Sequence, residues 1–167
     1  PNTAMGGAVT IDDLQQDGYR SIFMGTVVWR PKKLGIPGES LGHVHFAIDY
    51  LVSPDVYELG DRLAVIGAGN SAMDVARTAL RKGVKSVSVF CRRREAAASS
   101  REVDYATADG VEFLYGARPL EIIDNGIIYQ QASFDGDGAV AKLSEPKYFP
   151  ADSVVIAVSQ GPKDKIV

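Results

Sequence analysis

Apolar and polar positions change period several times along this chain. Leu63, Ala64, Val65 and Ile66 form a short apolar run that stops at Gly67-Ala68-Gly69, and a helical pattern follows at once, up to Gly83. The run reads as a buried strand and the pattern behind it as a helix. "KSVSVFC" (85–91) alternates and is rich in valine, which predicts a second strand. "SSREVDYATADG" (99–110) predicts a helix, with Ser99 or Ser100 as N-cap, Glu102 and Asp104 near its start and Gly110 near its end. "FAIDYLV" (46–52) predicts a shorter one. Strand-like runs follow at "VEFLY", "PLEII", "GIIYQQA" and "AVAKL", with turn signals at Asp124-Asn125-Gly126 and from Asp135 to Gly138. The later runs predict a β-meander packed beside parallel strands. "ADSVVIAVSQGP" (151–162) is near-continuously apolar, as a strand buried in a parallel sheet should be.

Three zones result. Residues 1–42 hold a predicted strand around Ile22 to Gly25 and then "RPKKLGIPGES", where Pro31, Pro37 and Gly38 favour an extended linker over a helix. Residues 43–150 hold the strand–helix alternation and the meander, and residues 151–167 hold the last apolar strand. The expected fold class is α/β, a Rossmann-type nucleotide-binding domain with a parallel sheet, helices and a β-meander.

Composition narrows the chemistry. The 167 residues suit about one domain, and 46% hydrophobic with 23% charged residues describe a chain able to bury a core. A net charge of −3 gives no general attraction for nucleic acid or membranes, so any anion site must be local. No apolar run approaches the roughly 20 residues of a membrane span, and no signal-peptide pattern opens the chain. Cys91 is the only cysteine, which excludes an internal disulfide, a Cys-x-x-Cys redox pair and a cysteine-ligated iron–sulfur cluster within this chain. A cytoplasmic setting is expected.

The sharpest motif is Gly67-x-Gly69-x-x-Ala72 between strand and helix. The first glycine permits a tight turn. The second removes a Cβ so that the backbone can approach a pyrophosphate, whose charge then meets the free N–H groups of the helix start. The third position needs a small residue for helix–strand packing, and Ala72 qualifies. Gly67, Ala68, Gly69, Asn70, Ser71 and Ala72 are therefore the expected pyrophosphate loop, with Asn70 and Ser71 serving as caps or phosphate donors. The bland alternative is a tight turn without ligand.

The end of the second strand selects the nucleotide. An NAD site usually places Asp or Glu there to hold the ribose 2′-hydroxyl. This strand ends "VFCRRRE", so Arg92, Arg93 and Arg94 stand where a 2′-phosphate needs cations, against the alternative of a solvated charged turn. NADP(H) is favoured over NAD(H). Asp74 is expected in the first turn of the helix in a structural role. His43 and His45 suit a loop-to-strand edge better than a metal pair, and "FDGDG" suits a hairpin turn better than a calcium loop. No catalytic acid, base or nucleophile stands out.

The stretches "GYRSIFMGTVVWRPKKLGIPGES", "VIGAGNSAMDVARTALRKG", "VSVFCRRRE" and "DSVVIAVSQGP" resemble the small, flavin-containing subunit of NADPH-dependent glutamate synthase. The wider group is of the pyridine nucleotide-disulfide oxidoreductase type. It includes the flavoprotein parts of dihydropyrimidine dehydrogenase and of electron-bifurcating ferredoxin:NADP oxidoreductases. The resemblance implies an NADPH-binding domain inserted into an FAD domain. Residues 1–42 and 151–167 would be the connections to that flavin domain. It also implies that Arg92 and Arg93 hold the 2′-phosphate, that NADPH reduces FAD held by segments outside this chain, and that electrons pass to iron–sulfur clusters or a large catalytic subunit. The excised domain by itself would be inactive.

Four departures accompany the resemblance, the first being Arg94 where a small hydroxyl residue is expected. Thr26-Val27 replaces a Thr-Gly pair, Ala157-Val158-Ser159 replaces Ala-x-Gly, and Ala98-Ser99-Ser100 replaces Met-Pro-Ala. Losing glycine at Val27 and Ser159 argues against close backbone approach to a flavin or nicotinamide. Two other readings therefore stand beside the first: an NAD(H)-using flavoprotein relative, and a nucleotide-sensing or assembly domain without electron transfer.

Overall fold

Long apolar runs must be covered on both faces, and the chain answers with three layers. The structure, a computed structural model, describes residues 5–23 and 30–161. Its elements begin with α1 (Ile11–Gln16), β1 (Arg30–Pro31), β2 (Val44–Phe46) and α2 (Ala47–Val52). The alternating part follows as β3 (Arg62–Ile66), α3 (Asn70–Arg81), β4 (Ser86–Cys91), α4 (Ser100–Ala108) and β5 (Glu112–Tyr115). The chain continues through β6 (Ala117–Ile123), β7 (Gly126–Phe134), β8 (Val140–Leu143), β9 (Lys147–Pro150), β10 (Ser153–Ile156) and β11 (Gln160–Gly161).

The middle layer is a five-stranded sheet in the order β2-β10-β3-β4-β5, parallel at every pairing. Period-two alternation splits each central strand between two cores. Leu63, Val65, Val87, Val89 and Val155 face the helices, where they meet Met73, Val75 and Ala76 of α3. Ala64, Ile66, Phe90 and Val154 face the other way, onto Ile122 and Ile127. Fully burying a side chain such as Leu63 or Val65 contributes about 1.5–3 kcal/mol each, so both coverings matter. The expected meander is a separate antiparallel sheet over one face: β6 pairs one edge of β7, while β8 and β9 share the other.

Several local expectations hold. Ser99 caps α4, accepting from Glu102 N at 3.4 Å. Asp135 accepts from the N–H groups of Asp137 and Ala139 (3.1 and 2.8 Å), which makes "FDGDG" the β7–β8 hairpin turn. The stretch from Lys32 to Ser40 is non-helical, and Glu39 ties it by accepting from Leu34 N and Gly35 N. Of the strand predicted around Ile22 to Gly25, Ile22 and Phe23 carry no regular structure; Met24 and Gly25 lie outside the described residues, as does Thr26-Val27.

β10 lies at the heart of the sheet, hydrogen-bonded to β2 on one side and β3 on the other. The last apolar run is thus part of the same sheet as the glycine motif. Just beyond it, β11 returns antiparallel to β1, bringing Arg30 opposite Gly161.

Candidate functional site

At the C-terminal end of β3 the chain turns sharply. Gly67 adopts φ +116°, and a Cβ there would stand 2.4 Å from the Ala157 carbonyl oxygen at the end of β10. Only glycine fits this corner. Gly67 N–H donates to Phe90 O at 3.0 Å, and Ala157 N–H donates to Ile66 O at 2.8 Å, so the turn is pinned from both neighbouring strands.

Gly69 is different. It is the N-cap of α3 with ordinary dihedrals (φ −90°, ψ 179°), and a Cβ built on it would meet nothing within 4 Å. Among the described residues nothing fills the space in front of Gly69, and no side chain caps α3. Ala72 and Met73 N–H both donate to Gly69 O (3.0 and 3.2 Å), while Ala72 is fully buried against the sheet. Ser71 is half-buried and Asn70 exposed.

The arginine segment leaves β4 next door. β3 and β4 run in register, Ile66 opposite Phe90, so both loops rise from one edge of the sheet. Between Cys91 and α4 the backbone is anchored by five hydrogen bonds. Cys91 Sγ donates to Glu95 O (3.1 Å), and Gly116 N–H donates to Arg93 O (3.1 Å). Ala97 and Ala98 N–H both donate to Ala68 O (2.8 and 2.9 Å), and Ser99 N–H donates to Asn70 Oδ1 (3.0 Å). Arg92, Arg93 and Arg94 are all exposed, and among the described residues none of them is joined to an acidic side chain. The geometry thus joins a glycine-lined helix start to a cationic segment, through Ala68 and Asn70.

The sequence pattern of the pyridine nucleotide-disulphide oxidoreductase family matches residues 6–167. This chain belongs to that family. It is 35% identical over 141 residues to the "Glutamate synthase [NADPH] small chain" of Escherichia coli (strain K12), covering 75% of this chain and 30% of the relative. It is 32% identical over 183 residues to the "NADP(+)-dependent formate dehydrogenase subunit beta" of Moorella thermoacetica, covering 95% and 25% respectively. Among solved structures, thioredoxin reductase from Streptococcus pyogenes MGAS5005 superposes with a TM-score of 0.62 at 25% identity, over 80% of this chain and 42% of that one. The chain therefore spans about a third or less of the length of these two curated relatives, and the Rossmann-type α/β class is that of the family's reductases.

Other sequence candidates settle into structural places within this family fold. α3 starts at Asn70, so Asp74 lies beyond its first turn and not in it, a correction that removes its proposed link to the helix dipole. Partial burial pushes its carboxyl up from the ordinary value, and neighbouring Glu102 adds to this while Arg77 opposes it. The Cys91 thiol is buried and raised by that burial, which leaves little thiolate to react. His45 lies on edge strand β2, and its ring meets Tyr57 edge-on at 4.9 Å. Ser159, which stands where glycine was expected, adopts φ +134°. The glycine-like backbone is kept although the residue is not glycine.

Sequence reasoning missed the anchoring of the arginine segment. Its signal lies in the small residues of "EAAASS": Ala96 and Ala98 pack against the helix-side core and let the backbone descend onto Ala68. Asn70 does not cap α3, whose N-cap is Gly69, and its side-chain oxygen accepts from Ser99 N–H.

Proposed function

We propose that this chain is the NADPH-binding domain of a flavoprotein oxidoreductase of the glutamate synthase small-chain type, delivering hydride from NADPH to FAD. The observation that carries this reading is the group of three arginines at the end of β4 that, among the described residues, have no acidic partner, beside a helix start that none of those residues fills or caps. Gly67 makes the turn, and the space in front of Gly69 takes the pyrophosphate. The main-chain N–H groups of Asn70 and Ser71 and the dipole of α3 face its charge. Ala68 and Ala72 keep loop and helix close to the sheet. Arg92 and Arg93 hold the 2′-phosphate as guanidinium forks, with Arg94 a third cation nearby.

When bound, NADPH supplies the hydride; this chain positions it and contributes no acid or base. In this reading FAD is held by parts of the polypeptide outside the described residues. Residues 1–42 and 151–167 lead to that domain from either end of the nucleotide-binding 43–150, with β10 of the second stretch completing the nucleotide domain's own sheet. Support comes from the β1–β11 ribbon, which draws the two connections together. The relatives named as a small chain and as a beta subunit support an iron–sulfur or large catalytic partner. Among the described residues no helix is long and apolar enough to cross a membrane, and a cytoplasmic setting suits the lone thiol.

The test is Arg92→Ala with Arg93→Ala in the full gene product, titrated in parallel with NADPH and NADH. Charge-assisted bonds of about 1.5–3 kcal/mol imply a loss of roughly tenfold or more for NADPH and little for NADH. Equal losses would leave an NAD(H) site with surface arginines. Binding without flavin absorbance or NADPH oxidation would leave a sensing or assembly domain.

A further inference from the structure

The two halves of the proposed site are joined by a side chain that touches neither phosphate in that reading. Asn70 opens α3, one residue after the N-cap, and its Oδ1 accepts from Ser99 N–H at 3.0 Å across 29 residues of chain. Ser99 ends the segment that carries Arg92, Arg93 and Arg94 and begins α4 as its N-cap. We propose that Asn70 is a positioning residue for nucleotide choice: it holds the arginine segment against the glycine loop and thereby sets the preference for a 2′-phosphorylated dinucleotide. The inference rests on the NADPH reading above and adds a residue to it.

Three observations converge. The arginines are exposed and, among the described residues, have no acidic partner to fix them, so their placement depends on the backbone that bears them. That backbone is fastened to the glycine loop at two points, the Ala68 carbonyl and the Asn70 side chain. Of these only Asn70 acts through its side chain, so chemistry at position 70 alone loosens the segment. Asn70 is also exposed, and alanine favours a helix more than asparagine does, so truncation leaves no cavity and no weaker helix.

A guanidinium fork works only when its two donors meet the phosphate together, which is why a mobile segment should cost affinity for the 2′-phosphate alone. The adenosine, pyrophosphate and nicotinamide parts are common to NADPH and NADH and do not need the arginines.

The experiment compares Asn70→Ala and Asn70→Asp in the full gene product. Asn70→Ala is expected to lower the NADPH:NADH affinity ratio by about fivefold, the worth of one ordinary hydrogen bond, and any loss common to both nucleotides cancels in that ratio. Asn70→Asp keeps the acceptor for Ser99 and adds a charge at the mouth shared by both nucleotides. It should weaken both by the same factor and keep their ratio. Hydrogen exchange at the Ser99 amide gives a readout independent of nucleotide: protection is lost in Asn70→Ala and kept in Asn70→Asp. Unchanged Ser99 protection in Asn70→Ala overturns the strap. Lost protection with an unchanged NADPH:NADH ratio overturns its role in selectivity, while the arginine double variant still reports on the NADPH reading. A parent protein that does not distinguish the nucleotides overturns both together.

Discussion

The two ends of the parallel sheet use charge in opposite ways. At the end where the strands begin, charges are paired. Asp152, just before β10, accepts from Arg62 Nε and Nη2 through one oxygen (3.1 and 2.5 Å) and from Asp61 and Arg62 N–H through the other (3.0 and 2.8 Å). Lys85 closes onto Asp61 at 2.8 Å. At the end where the strands finish, Arg92, Arg93 and Arg94 face outward with no acidic partner among the described residues. The net charge of −3 conceals this division. Paired charges at one end align β3 with β10; unpaired ones at the other maintain a local positive field, the condition for attracting a phosphate. The carboxyl ends of the strands in an open α/β sheet are where ligands bind.

The comparison breaks hardest at the glycines. Gly67→Ala would drive a Cβ to 2.4 Å from Ala157 O and strain φ +116°, so we expect a loss of about 3 kcal/mol or more in urea unfolding. Gly69→Ala meets open space and an ordinary φ, so stability should change by less than about 1 kcal/mol. If the proposed site is right, binding of NADPH and NADH should nevertheless fall together by about tenfold or more, because the added methyl enters the space proposed for the pyrophosphate. If Gly69→Ala unfolds the protein, or leaves titrations of both nucleotides unchanged, this end of the sheet has no ligand-specific glycine.

A smaller effect sharpens the other end. Arg62, through its hydrogen bonds, holds the Asp152 carboxyl below the usual carboxylate range, with the backbone N–H groups adding to this. A depressed folded-state pKa means stability that is full above the unfolded value of about 3.9 and lost as pH falls through the folded value. Asp152→Asn should therefore lower Tm by a few degrees at neutral pH without altering nucleotide affinity. The gap to the parent should close on acidification below about pH 4. A gap that is constant with pH would mean the pair contributes through shape alone.

The smallest expected change is a gain. Ser159 holds φ +134°, a region that favours glycine. Ser159→Gly should raise stability by about 0.5–1 kcal/mol in denaturant, the relief of strain exceeding the added freedom of the unfolded chain. A loss would show that the serine side chain contributes more than the strain costs.

Legibility differed sharply between elements. β3, α3, β4 and α4 announce themselves because each has a period, a cap or a stop within a dozen residues: Gly69 and Ser99 as caps, Gly83 and Gly110 as stops. α1 was equally available, since Thr10 and Asp13 form a capping box, yet its six residues bury nothing and show no apolar face to read. β2 and β9 are short, and neither contains a buried residue, so their sequences carry no alternation; pairing with β10 and β7 makes them strands.

What the sequence determined by itself is local: the strand–turn–helix at Gly67, the small residue at Ala72, and cations in place of a carboxylate after β4. These depend on residues a few positions apart, whose sterics and charge act wherever the segment lies. Tertiary structure alone decided that β10 inserts between β2 and β3, that the meander covers one face as its own layer, and that Asn70 holds Ser99. Each of these joins residues tens of positions apart. The sheet insertion and the meander form because two apolar faces must both be covered, and the Asn70–Ser99 bond because the covering brings the two loops side by side; periodicity along the chain does not say which distant segment will do so.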